Sequence, residues 1–418
     1  MRKILFLILA NFLLNFSGIY AQAGWLSLFN GKDLSNWVEH GKSTWRVEKG
    51  VLIGDSDFGH LYSNAIASDF EFKGMFRVSG DEGKTNSGFY FRANPDPKNP
   101  EGFPRGYEAQ ICHNQDAFTG WLWKPGKPTG KASSMLTKDG EWFSYRIRAI
   151  GNDITFWIND VLVMNYKDSD YKEGHFAIQL HNPGMKIEAK DLYYKDLSKD
   201  NELTQMQKDQ GWQLLFNGKN FNGWRQNNAT AMPKNWIIDN GTMKVFTGEG
   251  KRPGQGSGGD ILYDKKFQNF ELSIDWKAGE MANSGIFHNI REKAGQSMYY
   301  AAPEVQVLDN EYATDNKIPS HLAGSLYDQI AADPKTAYPV GYWNRIVIRV
   351  DNGRVTYTQN GTKVVEYTLW TPEWDELVEN SKFKNFPGFK EGISKEGYIG
   401  LQDHGYTVWF KNLKIREL

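Results

Sequence analysis

The chain has 418 residues and a formal net charge of -1 at pH 7, from 49 Lys plus Arg and 50 Asp plus Glu. This length exceeds the number of residues that one hydrophobic core of ordinary size holds, so we expect several domains. The balanced charge gives no electrostatic footprint for nucleic acid or an anionic bilayer, and 40% apolar with 24% charged residues is typical of a folded, soluble protein.

The first residues have the features of an export signal. Two basic residues precede an apolar stretch over 4–14, and small residues follow at Ala21 and Ala23 in the arrangement that a signal peptidase cuts. We predict a cleaved signal peptide over 1–23 and a periplasmic or secreted protein. The apolar stretch is shorter than the about 20 residues that span a bilayer, so no membrane insertion is expected. Cys112, the only cysteine, lies too far along the chain to carry an amino-terminal lipid.

The remaining chain contains an internal repeat. Five motifs occur twice in the same order: Leu-Phe-Asn-Gly-Lys at 28–32 and 215–219, Asn-Ser-Gly at 86–88 and 283–285, Glu-x-Gln at 108–110 and 304–306, Gly-x-Leu at 120–122 and 324–326, and Gln-x-His at 179–181 and 402–404. Each copy is long enough to bury its own core. We therefore expect two homologous domains over 24–197 and 211–418, joined by a polar linker over 198–210.

The local pattern within each copy is one of short strands. Stretches rich in β-branched and aromatic residues lie at 70–78, 145–149, 154–158, 270–276 and 345–350, and turn formers separate them. In the second copy, 310–339 is predicted to be a long loop and 371–381 a short helix. This pattern predicts an all-β fold in which each copy is a two-sheet antiparallel sandwich or jelly roll with one concave face.

Two polar pairs in each copy are candidates for a site. Residues two apart on a strand share a face, so the members of each pair point the same way: Glu108 with Gln110, Gln179 with His181, Glu304 with Gln306, and Gln402 with His404. If the two strands of a copy are neighbours, their pairs line one concave site. The alternative is that these side chains only decorate the solvated face of a half-exposed sheet.

The second copy carries further ionisable residues. Asp309 ends its Glu-x-Gln strand, and His321 lies in its long loop. His288 and Arg291 follow its Asn-Ser-Gly turn, where the first copy has Phe91. Histidine is the usual proton carrier near neutral pH, although His288 and His321 could equally be packed or surface residues. These differences favour the second copy as the reactive one.

Taken together, the five repeated motifs resemble those of the 3-keto-disaccharide hydrolase family, formerly a domain of unknown function, found in exported proteins of Bacteroidetes and similar bacteria. The resemblance covers both copies and implies two tandem concanavalin-like jelly rolls. It also implies cleavage of glycosides whose sugar is first oxidised to a ketone at carbon 3. That ketone acidifies the proton on carbon 2, so a carboxylate or histidine can remove it, and the resulting enolate expels the aglycone from carbon 1.

The resemblance and the residue types suggest roles for the candidate residues. Glu304 or His404 would act as the base, and Arg291, His288 or a divalent metal ion would stabilise the enolate. The remaining candidates would bind substrate: Gln306, Gln402, Asp309 and His321 in the second copy, and Glu108, Gln110, Gln179 and His181 in the first, either in a second site or for sugar binding. No Cys or His spacing resembles a zinc site, and the cofactor stays unknown.

Two other functions remain open at this point. The run from Glu304 to Asp309 is similar to the acidic strand of retaining laminarinase-type glycosidases, although Gln306 stands where that family has its middle Asp. A non-catalytic glycan-binding protein would instead use tryptophans such as Trp121, Trp123 and Trp142 as platforms. In each case the expected partner is a small carbohydrate, and no nucleic acid or protein partner is indicated.

Overall fold

The structure is a computed structural model that describes residues 24–245 and 259–418, except 82, 84 and 114. The predicted signal peptide at 1–23 lies outside the described residues. In the described part of the chain, no helix is long and apolar enough to cross a membrane.

The first domain is built from antiparallel strands: β1 (Leu26–Ser27), β2 (Trp37–Gly41), β3 (Thr44–Glu48), β4 (Val51–Asp55), β5 (Gly59–Ala67), β6 (Phe70–Gly80), β7 (Asn86–Asn94), β8 (Arg105–Cys112), β9 (Leu122–Lys124), β10 (Lys127–Gly130), β11 (Phe143–Ile150), β12 (Asp153–Ile158), β13 (Val161–Lys167), β14 (Gly174–Leu180) and β15 (Met185–Asp196). One sheet has the order β13-β12-β11-β6-β15-β4-β3, with β1 beside β15, and the other has the order β10-β9-β8-β7-β14-β5-β2.

The second domain follows the same plan, with strands β16 (Gln213–Leu214), β17 (Trp224–Gln226), β18 (Trp236–Asp239), β19 (Thr242–Val245), β20 (Ile261–Phe267), β21 (Phe270–Ala278), β22 (Asn283–Ile290), β23 (Glu304–Leu308), β24 (Asn344–Asp351), β25 (Arg354–Gln359), β26 (Thr362–Thr368), β27 (Gly397–Leu401) and β28 (Val408–Glu417). Its larger sheet has the order β18-β19-β28-β21-β24-β25-β26, with β16 beside β28, and its smaller sheet has the order β17-β20-β27-β22-β23. The predicted all-β fold of two jelly-roll sandwiches is confirmed.

Strand alternation builds the core between the sheets of each domain. Along β6, Phe70, Phe72, Phe76 and Val78 are buried, while the alternate residues Glu71, Lys73, Met75 and Arg77 are partly exposed. β24 alternates in the same way in the second domain. Both strands fall where the β-branched and aromatic stretches predicted them, because a half-buried strand needs apolar residues at every second position.

Helices are short and lie outside the sheets: α1 (Gln205–Asp209), α2 (Pro372–Glu379) and α3 (Pro387–Lys390). α1 forms within the predicted linker, where a capping box between Thr204 and Gln207 starts it. α2 lies within the helix predicted over 371–381 and begins at the cap residue Thr371. The segment after α2 carries Lys382, which lines a cavity together with Glu304 of the smaller sheet.

A half-buried arginine joins the two domains. Arg345 on β24 donates to Asp275 Oδ1 on β21 at 2.6 Å, and its Nη1 donates to Asp196 Oδ2 of the first domain at 3.0 Å. The linker region also contacts the second sandwich, since the backbone N–H of Asn201 donates to Asn412 Oδ1 at 2.6 Å. Both contacts involve buried or half-buried groups, so they stabilise the junction between the domains.

Candidate active site

In each domain the candidate site is built on three strands of the smaller sheet. The Asn-Ser-Gly strand, β7 or β22, lies in the middle. The Glu-x-Gln strand, β8 or β23, pairs with one edge of it, and β14 or β27 pairs with the other. The expectation that the two polar strands are direct neighbours is therefore wrong. Their side chains still meet because one strand of about 4.8 Å width separates them.

A serine in the Asn-Ser-Gly motif fixes the central strand to the closing strand. The Ser87 hydroxyl donates to the Gln179 carbonyl at 2.6 Å, and the Ser284 hydroxyl donates to the Gln402 carbonyl at 2.8 Å. Both hydroxyls are buried. This contact sets the position of the Gln-x-His segment relative to the rest of the site in both domains.

The glycine of the same motif makes room for the glutamate. A Cβ added to Gly88 would lie 2.3 Å from Glu108 Oε1, and one added to Gly285 would lie 2.2 Å from Glu304 Oε1. Neither distance is compatible with a side chain. The recurrence of Asn-Ser-Gly beside Glu-x-Gln therefore has a steric cause, because the glutamate carboxyl lies across the glycine of the neighbouring strand.

The second domain holds a polar cavity of about 360 Å³ over this sheet. An adjoining cavity of about 550 Å³ shares Tyr299, Gln402 and His404 with it. The first of these cavities is lined by Asn283, Tyr299, Glu304, Thr314, Asp315, Tyr327, Lys382, Gln402 and His404. Three of the predicted site residues, Glu304, Gln402 and His404, thus meet in one place.

Glu304 is the buried acid of this cavity. Glu304 is only 6% exposed. Burial raises the pKa of its carboxyl group from 4.5 to about 8. The positive charge of Lys382 acts in the opposite direction, while the carboxylates of Asp260 and Asp315 raise the pKa further. A carboxyl with a pKa near neutrality exchanges protons readily at physiological pH.

Lys382 is the cation of the cavity, and sequence reasoning missed it. Its Nζ lies 4.0 Å from the centre of the Tyr327 ring, and its backbone N–H donates to Asp328 Oδ2 at 2.7 Å. The segment that carries it follows α2, far from Glu304 in sequence. No periodicity relates the two positions, so only the fold reveals their proximity.

His321 supports the cavity from behind and does not line it. Its Nδ1 lies 2.8 Å from Asp315 Oδ1 and its Nε2 lies 2.7 Å from Asp328 Oδ1. The hydroxyl of Tyr327 donates to Asp315 Oδ2 at 2.8 Å. The predicted substrate-binding role of His321 is therefore corrected: this histidine holds Asp315 and Asp328, and Asp315 and Tyr327 are the groups that face the cavity.

His288 is part of the core, which corrects its predicted catalytic role. It is fully buried, and its Nε2 lies 2.8 Å from the Tyr357 hydroxyl and 3.1 Å from that of Tyr367. On β22 the side chain of Asn283 lines the cavity with Glu304, and the open side of Gly285 faces Glu304, so a residue three beyond Gly285 faces the opposite side. The repeat already aligned His288 with Phe91, which is also fully buried.

Arg291 and Asp309 also lie outside the cavity. The Arg291 guanidinium donates to Glu391 Oε2 at 3.0 Å and to the Gly392 carbonyl at 2.7 Å. The Asp309 carboxylate accepts backbone N–H groups from Met281, Glu311 and Tyr312 at 2.8 to 3.2 Å. Arg291 is thus paired at the surface, and Asp309 holds the turn after β23, so both predicted site roles are corrected.

Gln306 is buried beside the cavity without lining it. Its Oε1 accepts the Val307 backbone N–H at 3.1 Å, and its Nε2 has no partner among the described residues.

In the first domain all four predicted residues, Glu108, Gln110, Gln179 and His181, line one cavity of about 220 Å³. The first domain therefore fits its predicted set more completely than the second.

Burial also perturbs the glutamate of the first domain. Glu108 has its pKa raised to about 7 by burial, while a hydrogen bond of 2.8 Å from the Tyr90 hydroxyl lowers it. Gln179 Nε2 donates to the same hydroxyl at 3.0 Å. The position of Tyr90 is occupied by Phe287 in the second domain, since both pair with the glutamate of the neighbouring strand.

A metal site is not apparent from the side chains. Within the described ranges, no three His, Cys, Asp or Glu side chains are grouped as cation ligands would be. In the adjoining cavity of the second domain, Asp260 Oδ1 accepts the Asp403 backbone N–H at 3.0 Å, and burial raises the pKa of Asp260 to about 6. Asp403 in turn accepts from Asn235 Nδ2 and from the Gly405 backbone.

The chain matches a protein family described as the 3-keto-alpha-glucoside-1,2-lyase-like domain, over residues 24–198 and again over 211–416. It belongs to this family. A 3-keto-disaccharide hydrolase of Bacteroides thetaiotaomicron is 40% identical over 229 residues, which are 50% of this chain and 79% of that protein. The family resemblance of the five motifs is thereby confirmed.

Solved structures are also similar to parts of the chain. A candidate glycosyl hydrolase of Parabacteroides distasonis is 30% identical and covers 53% of this chain and 100% of its own, with a TM-score of 0.48. The carbohydrate-binding module CBM66 of Bacillus subtilis is 18% identical and covers 38% of this chain and 96% of its own, with a TM-score of 0.32.

In this member of the 3-keto-alpha-glucoside-1,2-lyase-like family, the tryptophans proposed as sugar platforms have different surroundings. Trp123 lines the first-domain cavity. Trp142 is covered by the cations of Arg77 and Lys190, at 4.8 and 4.5 Å from its ring centre. Trp121 packs against the core with Lys131 over its ring. Of the three, Trp123 alone lies in a position to contact a ligand in that cavity.

Proposed function

We propose that the chain cleaves the glycosidic bond of 3-keto-glycosides in the second-domain cavity. The observation that carries this proposal is the buried Glu304, whose pKa is raised to about 8, in a polar cavity that also contains the ammonium group of Lys382. Membership of the 3-keto-alpha-glucoside-1,2-lyase-like family and 40% identity to a protein named 3-keto-disaccharide hydrolase support the same substrate class.

Glu304 acts first, as the base. Its carboxylate takes the proton from carbon 2, the C–H electron pair forms the double bond between carbons 2 and 3, and the ketone oxygen becomes an enolate. Near neutral pH a base with a pKa of about 8 is strong enough for this step, and the adjacent ketone makes the proton acidic. Lys382 stabilises the enolate charge, the role predicted above for Arg291, His288 or a divalent metal ion.

The second step expels the aglycone. The enolate re-forms the ketone, a double bond forms between carbons 1 and 2, and the bond from carbon 1 to the glycosidic oxygen breaks. His404, exposed at the mouth of the cavity, supplies the proton that the leaving oxygen takes. Elimination alone is a lyase reaction. Addition of water to the enone, with OH joining carbon 1 and H joining carbon 2, completes a hydrolysis.

The remaining lining residues bind the sugar. Gln402 is 8% exposed, and its Oε1 is buried without a partner, so it can accept a hydrogen bond from a substrate hydroxyl. Asn283 and Tyr299 line the same space. A retaining two-carboxylate glycosidase is disfavoured because Asp309, the second acid of that scheme, is already satisfied by three backbone N–H groups.

The predicted signal peptide supports a location outside the cytoplasm for this reaction. We propose that the protein is exported to the periplasm or beyond and acts there on small glycosides. Amino-terminal sequencing of the protein recovered from a periplasmic extract tests this, because it should begin near residue 24. A start at Met1 would contradict export by cleavage.

Product release from matched substrates tests the activity. The full-length protein is given a 3-keto-disaccharide and its unoxidised parent, and monosaccharide release is measured by chromatography with and without a chelator. Release from the oxidised substrate alone supports the proposal, and Glu304→Gln should abolish the part of it that the second domain contributes. Release from the unoxidised parent would support an ordinary glycosidase instead, and no release from either would support a glycan-binding protein.

A further inference from the structure

The two cavities differ in the chemistry of their walls. The second-domain cavity contains the charged groups of Lys382 and Asp315. The first-domain cavity is walled by Phe103, Pro104, Trp123 and Pro125. The same three-strand floor thus carries a polar wall in one domain and an apolar wall in the other, which points to different ligands.

The apolar wall continues into a cluster of aromatic rings. Phe103 is 51% exposed. Its ring centre lies 5.2 Å from that of Phe58 and 5.7 Å from that of His181. His60 adds a further ring 5.2 Å from Phe58, and burial lowers the pKa of His60 to about 3, so this ring is neutral. The exposed ring of Phe103, backed by this cluster, offers a flat apolar surface to a ligand.

The floor of the same cavity is made of unpaired hydrogen-bond acceptors. Asn86 Oδ1, Gln110 Oε1 and Gln179 Oε1 are buried and have no hydrogen-bond partner among the described residues, and their residues are 5%, 3% and 1% exposed. A buried acceptor without a partner costs about 1–3 kcal/mol. A ligand that supplies hydroxyl groups at this floor removes that cost, so the occupant of the floor is a polyhydroxylated ring.

Among the described residues that line this cavity, the one lysine is already paired. The ammonium group of Lys124 lies 2.7 Å from Asp168 Oδ2 and 2.6 Å from Asp170 Oδ2. These two carboxylates balance its charge. The lysine therefore offers no free charge to a phosphate or carboxylate group, which favours a neutral ligand.

We propose that the first-domain cavity binds a neutral glycoside whose aglycone is a flat apolar ring. The sugar lies on the amide floor of Asn86, Gln110 and Gln179, and the aglycone ring lies against Phe103 and its neighbours. At about 220 Å³ the cavity is below the ~300–1,000 Å³ of sites for drug-sized ligands. One sugar ring is therefore enclosed, and the aglycone extends along the exposed Phe103 surface.

Calorimetric titration of the full-length protein with phenyl glucoside and methyl glucoside, in both anomeric forms, tests this proposal. We expect phenyl glucoside to bind more tightly than methyl glucoside. Phe103→Ser should weaken phenyl glucoside binding by about 2- to 12-fold, the value of one aromatic contact, and should leave methyl glucoside unchanged. Tyr312→Ser, at a residue 62% exposed that lines no cavity described above, is the matched control and should change neither affinity.

Two outcomes would overturn the proposal: equal affinity for the two glucosides in the unmodified protein, or a preference for phenyl glucoside that Phe103→Ser leaves intact. Because Phe103 is half exposed, its replacement does not threaten folding, and a thermal melt verifies this. Gln179→Leu provides a second test. It removes one hydrogen-bond acceptor from the cavity floor, so it should weaken the binding of both glucosides. The substrates are unoxidised, so this experiment does not depend on the proposed reaction.

Discussion

The Tyr90 hydroxyl donates a hydrogen bond of 2.8 Å to Glu108 Oε2, and Phe287 at the matching position of the second domain has no hydroxyl to give. This difference separates two buried glutamates that lie on equivalent strands and beside equivalent glycines, and Glu304 also senses the charges of Lys382, Asp260 and Asp315. Burial raises the pKa of both, to about 7 for Glu108 and about 8 for Glu304. A donor to the ionised form lowers the pKa, so the tyrosine hydroxyl favours the Glu108 carboxylate.

Tyr90→Phe should therefore raise the pKa of Glu108. The variant removes the hydrogen bond that favours the carboxylate, while burial continues to favour the neutral acid. Carbon-13 titration of the glutamate carboxyl groups in labelled protein measures the shift, and Glu108→Gln identifies the resonance. A pKa for Glu108 that stays the same or falls would show that the hydroxyl does not stabilise the carboxylate.

Glu304→Gln should stabilise the fold at high pH and have less effect at low pH. The folded-state pKa of about 8 lies above the ordinary glutamate pKa of 4.5, so between these values the folded chain keeps a proton that the unfolded chain releases. Stability therefore falls as pH rises through this window, and the glutamine removes that fall. Urea unfolding at pH 4 and pH 9 gives the comparison, with the exposed Glu379→Gln as control. Equal effects of Glu304→Gln at the two pH values would contradict the raised pKa.

His288→Phe should reduce stability and leave turnover nearly unchanged. The histidine bonds to the hydroxyls of Tyr357 and Tyr367 inside the core, and its loss leaves buried hydroxyls with fewer partners, at a cost of about 1–3 kcal/mol. Denaturant unfolding and kcat/KM on a 3-keto substrate are measured together. His404→Gln is the contrasting variant, since this residue is exposed at the cavity and should lose turnover without losing stability. A large fall in kcat for a folded His288→Phe protein would restore its catalytic role.

Lys382→Met should lower kcat by about 10²- to 10³-fold, the usual effect of removing one group that stabilises an oxyanion. It should also move the acid limb of the pH-rate profile to higher pH, because the lysine charge lowers the pKa of Glu304. Lys384→Met, two residues along and exposed, is the matched control. If kcat falls but the acid limb stays in place, Lys382 acts on something other than Glu304 and the enolate.

The strands and part of the site could be predicted from the sequence because both depend on local alternation. Period-two patterning located β6 and β24, and it placed Glu304 on one face of β23 with Val305 on the other, in the core. The same rule, applied from Gly285, would have placed His288 in the core. The repeat also aligns His288 with Phe91, which is buried. Both patterns indicated a core position for His288, and the catalytic role predicted for it rested only on the residue type.

Other parts of the site could not be predicted because they depend on contacts between distant segments. Lys382 reaches the cavity from the segment after α2, and Asp315 and Tyr327 reach it from the long loop. The arrangement of the strands was a second obstacle: the central position of β22 could not be read from motif order. The partner of a polar group is likewise set by the fold, as the backbone donors around Asp309 illustrate.

The most direct test of the account is the fate of the hydrogen on carbon 2. A 3-keto-disaccharide carrying deuterium at that position is turned over by a Glu108→Gln protein, in which the second domain is the remaining site. We predict a primary isotope effect on kcat/KM, loss of the deuterium to solvent, and no turnover when Glu304→Gln is added. Cleavage that retains the deuterium at carbon 2 and shows no isotope effect would contradict proton abstraction by Glu304 and the elimination mechanism with it.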